Sequence, residues 1–195
     1  ASRVSGQRSR ASVAALEEPA AASSRARERD PRGARRARPL AAELGHASQV
    51  ITSGRAVNDG MGKHIATEVV KKIIKAGKNV LHSKVLVMGA TFKENVSDIR
   101  NSKVADVVNE LKSYGVKVDI IDPFASSEEL DKEYGFSLCN NPGNDYAAIV
   151  VAVSHRDYSN LPEDYFKSHL ADKGIVMDVK GIYRNKIKTL NYMSL

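Results

Sequence analysis

Short runs of Val, Ile, Leu and Met, nearly unbroken by polar residues, constrain the fold of this chain most strongly. Three of them read KVLVMG, AIVVAV and GIVMDV, and a fourth, VKVDII, ends directly before an Asp-Pro pair. A strand with one face in water alternates apolar and polar residues, whereas a strand covered on both faces is apolar at nearly every position. The runs therefore predict a sheet with helices on both faces and strands at 84–89, 116–121, 148–153 and 174–179.

The segments between these runs have the length and pattern of crossover helices. The helix predicted at 102–114 ends at Gly115 and turns four apolar residues to one side: Val104, Val107, Val108 and Leu111. Another helix is predicted around 162–170. A strand, loop, helix and strand within about 40 residues form a parallel βαβ unit, which has a right-handed crossover. The predicted fold is a Rossmann-like, doubly wound α/β parallel sheet, without internal repeats.

A long amphipathic helix is predicted ahead of the sheet. Apolar residues recur every fourth position in two adjoining rows: Met61, Ile65, Val69 and Ile73 in one, and Ala66, Val70 and Ile74 in the other. Asn58 or Asp59 can cap the start of this helix and Gly77 can end it, which gives about five turns. Because this stripe is so apolar, it must pack on another surface: the following domain, a domain outside this sequence, or a second copy of the chain.

The net charge of +7 is concentrated at the amino terminus. Residues 1–40 hold 10 Arg and four acidic residues, whereas the rest of the chain holds 20 basic and 19 acidic residues. This Arg/Ala-rich stretch cannot bury enough apolar surface to offset its ordering entropy, so we expect a disordered or non-native tail. The alternative is a basic arm that binds RNA or anionic lipid, although no aromatic residues interleave the arginines. The predicted organisation is a tail at 1–40, a central helical segment at 41–80 and an α/β domain at 81–195.

Composition also excludes several classes of site. Cys139 is the only cysteine, which excludes an internal disulfide and a Cys-based metal cluster and favours a reducing compartment. We predict no metal, because the histidines lack the spacing of ligands: His46, His64, His82, His155 and His169. No apolar run approaches the roughly 20 residues that cross a bilayer, and the amino terminus lacks a signal-peptide core. We expect a cytoplasmic protein that binds neither membrane nor nucleic acid.

The connection after the first strand carries the most informative polar residues. In such sheets, ligands bind beyond the carboxyl ends of the strands. A dinucleotide fingerprint would read G-x-G-x-x-G here, but Gly89 is followed by about a dozen loop residues without another glycine, which excludes a tight phosphate turn. Lys93 and Arg100 supply cations instead, suited to phosphate or sugar oxygens. The alternative is that both are solvated charges, paired with Glu94 and Asp98.

Three segments resemble motifs of the UDP-glucose/GDP-mannose dehydrogenase family. Residues 54–61, GRAVNDGM, are similar to the G-R-x-[IV]-N-D-x-M segment that opens the family's central helix. Residues 89–102, GATFKENVSDIRNS, are similar to its G-x-[TA]-F-K-x-[ND]-x-x-D-x-R-x-S loop, and Asp122-Pro123 resembles its D-P pair after the second strand. The resemblance extends from about residue 41 to the end. Within the family, the chain looks most like enzymes that act on UDP-N-acetylhexosamines.

The resemblance implies roles for five residues. Phe92 and Lys93 are expected to contact the UDP-sugar in a cleft between two domains, with Lys180 near the UDP. Arg100 is expected to reach a phosphate of the cofactor NAD, which the family binds mainly with a preceding domain. Arg55 resembles the arginine that completes the substrate site of the other subunit. A homodimer through the helix from Asn58 to Ala76 is therefore implied.

The family oxidises the C6 alcohol of the sugar twice, with NAD as hydride acceptor and a cysteine-bound intermediate, to make UDP-uronic acids for surface polysaccharides. This sequence contains neither the glycine-rich NAD fingerprint nor the family's cysteine motif, and Cys139 is predicted to be structural. We therefore expect the UDP-sugar-binding part of such an enzyme, with no catalytic residue and no turnover on its own. The alternatives are a stand-alone, non-catalytic nucleotide-binding or dimerisation module and a nucleic-acid-associated protein. Tyr158 either packs half-buried or approaches the uracil or ribose.

Overall fold

The computed structural model describes residues 49–195, with side chains from residue 53 onward. The tail predicted at 1–40 and the first eight residues of the segment predicted at 41–80 lie outside the described residues. The elements in the described range are, in order, α1 (Gln49–Lys75), a 3₁₀ turn (Val80–His82), β1 (Lys84–Met88), α2 (Val104–Ser113), β2 (Lys117–Ile121), α3 (Ser127–Tyr134), β3 (Tyr146–Val151), α4 (Glu163–His169), β4 (Leu170–Asp178) and β5 (Asn191–Ser194).

The strands form one parallel sheet in the order β2-β1-β3-β4-β5. After β1 the chain builds β2 on one side of it and then crosses back to build β3 on the other side. The four predicted strands and the helices predicted at 102–114 and 162–170 are confirmed, with ends shifted by a few residues. The Rossmann-like, doubly wound α/β fold predicted from the sequence is therefore confirmed.

Helices and loops cover both faces of the sheet, which explains why the strands are apolar at nearly every position. Val85 and Val87 of β1 belong to a core with α1, α2 and α3. Leu86 and Met88 point to the opposite face and belong to a core with α4 and the segment that precedes β5. Successive strand residues thus enter two separate cores, as the two-residue period of a strand requires.

Two elements, α3 and β5, were not predicted from the sequence. Helix α3 reads SEELDKEY and buries only Leu130, so it has no apolar stripe. It is fixed instead at its ends, by the Ser126 side chain, which accepts a hydrogen bond from the Glu129 N–H, and by Gly135 in the left-handed conformation. Strand β5 has only four residues and lies at the edge of the sheet, where it pairs with a single neighbouring strand.

The start of the long helix was predicted incorrectly. Asn58 and Asp59 do not cap it, because α1 already begins at Gln49. Asp59 lies on an exposed turn of the helix, where its carboxylate forms an ion pair with Lys103 Nζ at 2.9 Å. The end is as predicted: Gly77 N–H donates to the Ile74 carbonyl and Lys78 N–H to the Ile73 carbonyl, the two hydrogen bonds of a Schellman motif.

The apolar stripe of α1 packs on the domain that follows it. Ile65, Val69 and Ile73 are buried, together with Ala66 and Val70. Their neighbours in the core include residues of α2 and β1. Ile74, which the sequence analysis placed on the same stripe, is 59% exposed. The first of the three packing partners considered for α1 is therefore the one that covers the stripe.

Candidate functional site

A cleft of about 390 Å³ opens at the carboxyl edge of the sheet, where the chain leaves β1 and β3 in opposite directions. This is the position at which doubly wound sheets bind ligands. Its walls come from α1, from the β1–α2 loop, from α2 and from the ends of β3 and β4; they include Asn58, Met61, Phe92, Lys93, Val153 and Lys180. The backbone of Gly89 packs closely against Val153, because a Cβ at Gly89 would lie 2.5 Å from the Cβ of Val153. Gly89 also has a φ of +95°, in the region that favours glycine.

Three lysines and an aromatic ring line this cleft, and one of the three, Lys103, is already paired with Asp59 and Asp106. Phe92 is 51% exposed, and the Lys93 ammonium lies 5.7 Å from the centroid of its ring. Lys180 follows β4 and is exposed. Within residues 53–195, neither Lys93 nor Lys180 has a carboxylate within ion-pair distance. Lys93 and Lys180 therefore bring two ammonium groups without an ion-pair partner to the cleft, beside the carboxylate of Glu94, and Phe92 adds one apolar ring face. This combination suits a phosphorylated ligand with a planar base.

A buried carboxylate at the end of β2 holds the start of the β1–α2 loop. The Asp122 side chain has no exposed surface, and its Oδ2 accepts N–H groups from Ala90 at 2.6 Å and Thr91 at 3.2 Å. Its Oδ1 accepts the N–H groups of Phe124 and Ala125. Burial alone would raise the pKa of Asp122, but the N–H donors outweigh it and hold the pKa below its ordinary value. Asp122 is therefore an anion that fixes the backbone leading to Phe92 and Lys93.

A second buried carboxylate holds the loop that carries Lys180. Asp178, the last residue of β4, accepts N–H groups from Gly181 at 2.8 Å and Tyr183 at 2.7 Å. The Tyr192 hydroxyl also donates to it at 2.9 Å. Burial, followed by this hydrogen bond to Asp178, raises the pKa of Tyr192 to about 12. The tight turn after Asp178 directs the chain so that Lys180 reaches the cleft.

Arg100 lies outside this cleft. It lines a separate surface depression of about 440 Å³ together with the neighbouring loop and residues of α3. Its guanidinium forms a two-point ion pair with Asp98, with Nε and Nη2 each 2.9 Å from a carboxylate oxygen. For Arg100 this agrees with the alternative of a surface pair. Lys93 does not pair with Glu94, whose carboxylate accepts the Ser154 hydroxyl at 3.2 Å.

Three further residues singled out in the sequence do not line this cleft. Arg55 lies on the exposed first part of α1, one turn before Asn58, and is half-buried. Tyr158 is buried and donates its hydroxyl to the Ile121 carbonyl at 3.2 Å, as expected for a packing residue. Cys139 is half-buried and lines another depression with Tyr158, beyond the end of β2.

Sequence analysis did not identify the residues that support the site. Asp122 was predicted to lie at the ligand-binding edge of the sheet and was noted as part of an Asp-Pro pair, but not as a support of the loop. Asp178 was noted only within the GIVMDV strand, and His155 as one of five scattered histidines. His155 is completely buried beside Asp122, with its Nε2 at 3.1 Å from the Asp122 Oδ2. A charged residue that ends an otherwise apolar run, such as Asp178 in GIVMDV, is the one signal of this support that the sequence contains.

The described residues have neither a metal site nor a membrane span. Between residues 49 and 195, no three His, Cys, Asp or Glu side chains cluster in a way that would hold a metal ion. In the same range, no helix has both the length and the apolar character needed to cross a bilayer.

Comparison with known proteins gives the family of this chain. It is 40% identical over 138 residues to a UDP-N-acetyl-D-glucosamine 6-dehydrogenase of Salmonella typhi, covering 70% of this chain and 32% of that protein. It is 42% identical over 143 residues to Protein CapL of Staphylococcus aureus, covering 73% and 34%. The chain thus spans about a third of the length of these curated relatives.

Solved structures give the same fold. The NDP-N-acetyl-D-galactosaminuronic acid dehydrogenase of Methanosarcina mazei Go1 superimposes with a TM-score of 0.65 at 24% identity, over 76% of this chain and 32% of that one. Residues 86–185 match the family described as "UDP-glucose/GDP-mannose dehydrogenase family, UDP binding domain". Phe92, Lys93 and Lys180 of the cleft lie within that matched segment, whereas the wall formed by α1 precedes it. The chain therefore belongs to the UDP-glucose/GDP-mannose dehydrogenase family and contains its UDP-binding domain.

Proposed function

We propose that this chain binds a UDP-sugar in the cleft at the β1/β3 crevice and is the UDP-binding part of a cytoplasmic, NAD-dependent UDP-sugar 6-dehydrogenase. The substrates would be UDP-N-acetylhexosamines, oxidised to the uronic acids used in surface polysaccharides. The name of the Salmonella relative supports this substrate class. The observation that carries the proposal is the convergence of Phe92, Lys93 and Lys180 on one cleft within the matched segment. The proposal includes no nucleic-acid or membrane partner.

The two lysines have a role that follows from their charge. The diphosphate of a UDP-sugar carries two negative charges, and Lys93 and Lys180 bring two ammonium groups to the same cleft. An ammonium on a flexible stem suits such a point charge. The Phe92 ring, half exposed beside Lys93, offers a face for the uracil or ribose. Binding energy from these remote groups would hold the sugar C6 in position for oxidation.

The β1–α2 connection of this domain does not fit the pyrophosphate of NAD. Tight binding there requires a glycine-rich turn that leads directly into a helix amino terminus. Here Gly89 is separated from α2, which begins at Val104, by a long loop without another glycine. NAD binding is therefore assigned mainly to a different domain of the intact enzyme. Arg100 would contribute one cation from the surface of this domain, in exchange for its pairing with Asp98.

The homodimer implied through the helix from Asn58 to Ala76 is proposed to form through the exposed residues of that helix and through the exposed part of α1 just before it. Residues 53–60 are exposed except for the half-buried Arg55, and Val57 is 65% exposed. Paired helices would cover Val57 and bring Arg55 of one protomer toward the cleft of its partner. Such an arrangement would make the dimer part of the substrate site.

Calorimetric titration tests the assigned cleft. We expect the full chain to bind UDP and UDP-N-acetylglucosamine, and Lys93→Ala to weaken both at least ~10-fold, the usual scale for a lost charge-assisted contact to phosphate. Lys117→Ala is the matched control, because Lys117 is an exposed lysine at the opposite, amino end of the sheet. Equal affinities for the two variants would contradict the assignment. We also expect no NADH from the chain mixed with NAD and UDP-N-acetylglucosamine.

A further inference from the structure

A histidine buried behind the cleft is not explained by the binding of charge. His155 follows β3, has no exposed surface and packs its ring against Phe124, with centroids 4.9 Å apart, and edge-on against Tyr158 at 5.5 Å. Both of its ring nitrogens nevertheless have polar partners, and two of those partners belong to the loop that carries Lys93. The ring therefore connects β3 to the β1–α2 loop through the interior of the protein.

The hydrogen bonds of His155 define its protonation. Nδ1 lies 2.9 Å from the backbone nitrogen of Asn95. Because an amide N–H can only donate, Nδ1 is the acceptor and the ring proton of the neutral imidazole is on Nε2. Nε2 faces Asp122 Oδ2 at 3.1 Å and Thr91 Oγ1 at 3.2 Å. Thr91 gives its own hydroxyl proton to the Lys93 carbonyl at 2.9 Å, which leaves its oxygen free to accept from Nε2.

Asn95 returns a second hydrogen bond to the same segment. Its Oδ1 accepts the N–H of Arg156 at 2.8 Å, while its own N–H donates to His155. Its φ of +58° is in the left-handed region, which Asn tolerates better than most residues but still at a cost. The paired bonds between Asn95 and residues 155–156, called the Asn95 clamp below, hold that conformation.

Lys93 lies between the two points at which His155 holds the loop. Thr91 is two residues before it and Asn95 two residues after it, and the Lys93 carbonyl is itself bound to the Thr91 hydroxyl. We propose that His155 and the Asn95 clamp are positioning elements that hold segment 91–95 in the form that presents Phe92 and Lys93 to the UDP-sugar. This role rests on the proposed function of the cleft, because it concerns the same bound ligand. His155 does not touch the ligand in this proposal and acts through the backbone of the loop.

A matched pair of substitutions separates positioning from simple packing. In His155→Asn the amide oxygen takes the place of Nδ1 and keeps an acceptor for the Asn95 N–H. In His155→Gln the amide nitrogen takes the place of Nε2 and keeps a donor toward Asp122 and Thr91, but nothing faces Asn95. Both variants lose the ring packing on Phe124 and Tyr158, so a purely structural role predicts similar losses in stability and in affinity for the two.

The measurement is the affinity of the full chain for UDP-N-acetylglucosamine by calorimetry, at a temperature where circular dichroism shows every variant to be folded. We expect His155→Asn to bind within about 3-fold of the wild type and His155→Gln to bind at least ~10-fold more weakly. Hydrogen exchange at the Asn95 amide, followed by NMR without ligand, should be accelerated in His155→Gln and near the wild-type rate in His155→Asn. Equal affinities for the two variants, or equal exchange at Asn95, would overturn the proposal.

Two controls keep the result interpretable. Failure of the proposed function would appear as a wild-type chain that does not bind UDP-N-acetylglucosamine, or as a Lys93→Ala variant that binds normally, whereas failure of the present inference leaves both of those results intact. If His155→Gln does not fold, Asn95→Gly provides the second test. It accepts the left-handed backbone and keeps the ring, but loses the Asn95 Oδ1 bond to Arg156, so weaker binding is expected and unchanged binding would refute the role of the clamp.

Discussion

Replacing Asp122 with Asn tests whether the carboxyl edge of the sheet depends on a buried anion. Its two oxygens accept one N–H of His155 and four backbone N–H groups, from Ala90, Thr91, Phe124 and Ala125. An Asn side chain keeps only one oxygen. In its less costly orientation the NH₂ group faces Phe124 and Ala125, so two N–H donors lose their acceptor, whereas the opposite orientation would leave three without one. At about 1–3 kcal/mol for each of these two unsatisfied donors, the free energy of unfolding should fall by ~2–6 kcal/mol at pH 7.

The pH dependence of this loss has a defined sign. The pKa of Asp122 is lower in the folded protein than its ordinary value, so the carboxylate stabilises the fold above the unfolded pKa and that contribution disappears as the pH falls through the folded pKa. The difference between the wild type and Asp122→Asn should therefore be full at pH 7 and shrink below about pH 4.

Urea unfolding of the full chain, followed by circular dichroism at pH 7 and at decreasing pH, measures both effects. Asp172→Asn is the control, because Asp172 is an exposed residue of β4 and its substitution should change stability by no more than about 0.5 kcal/mol. Equal unfolding midpoints for the two variants at pH 7 would refute the reasoning. A constant difference down to pH 3 would show that the charge of Asp122 is not its cause.

Three further substitutions test other parts of the molecule. Gly89→Ala puts a Cβ 2.5 Å from a neighbouring side chain at a φ of +95°. We therefore expect the free energy of unfolding to fall by about 3 kcal/mol or more, seen as a fall in Tm of roughly 6–12 °C. Gly143→Ala, with open space around it, should leave Tm nearly unchanged. Val57→Asp should convert the proposed dimer to a monomer in light scattering, and an unchanged mass would argue against the α1 interface. Hydrogen bonds from Thr189 hold the pKa of Glu163 at about 2, so Glu163→Gln should lower Tm at pH 7. The Tm difference between the wild type and this variant should fade as the pH falls from 4.5 to about 2, and a difference that persists at pH 2 would contradict this cause.

The fold was predictable wherever one physical demand controlled the sequence. Burial on both faces left unbroken apolar runs in β1, β3 and β4, and these runs gave the sheet. Where several weak terms share control, the prediction was wrong or incomplete. Helix α1 already begins at Gln49, and the sequence signal of a cap at Asp59 belongs instead to an ion pair with Lys103.

The cleft divides in the same way between predictable and unpredictable parts. Phe92, Lys93 and Lys180 follow strand ends, so a parallel sheet necessarily brings them to one edge. His155 and Asn95 are 60 residues apart in the sequence. Their hydrogen bond depends on how two loops are positioned relative to each other in space, which no sequence spacing predicts. The residues that present charge could therefore be identified from the sequence, and the residues that position them could not.

The stretch between β1 and α2 lacks regular secondary structure, yet seven of its backbone N–H groups have partners: those of Gly89, Ala90, Thr91, Phe92, Asn95, Arg100 and Ser102. The length of the loop is therefore constrained, because inserting or deleting one residue between Ala90 and Asn95 would separate the bonds that lie before the change from those that lie after it. Engineers who wish to alter ligand preference here should vary only the outward side chains, such as Phe92 and Val96, which are 51% and 40% exposed. We expect a library that varies the length of this loop to lose the hydrogen bonds that hold it.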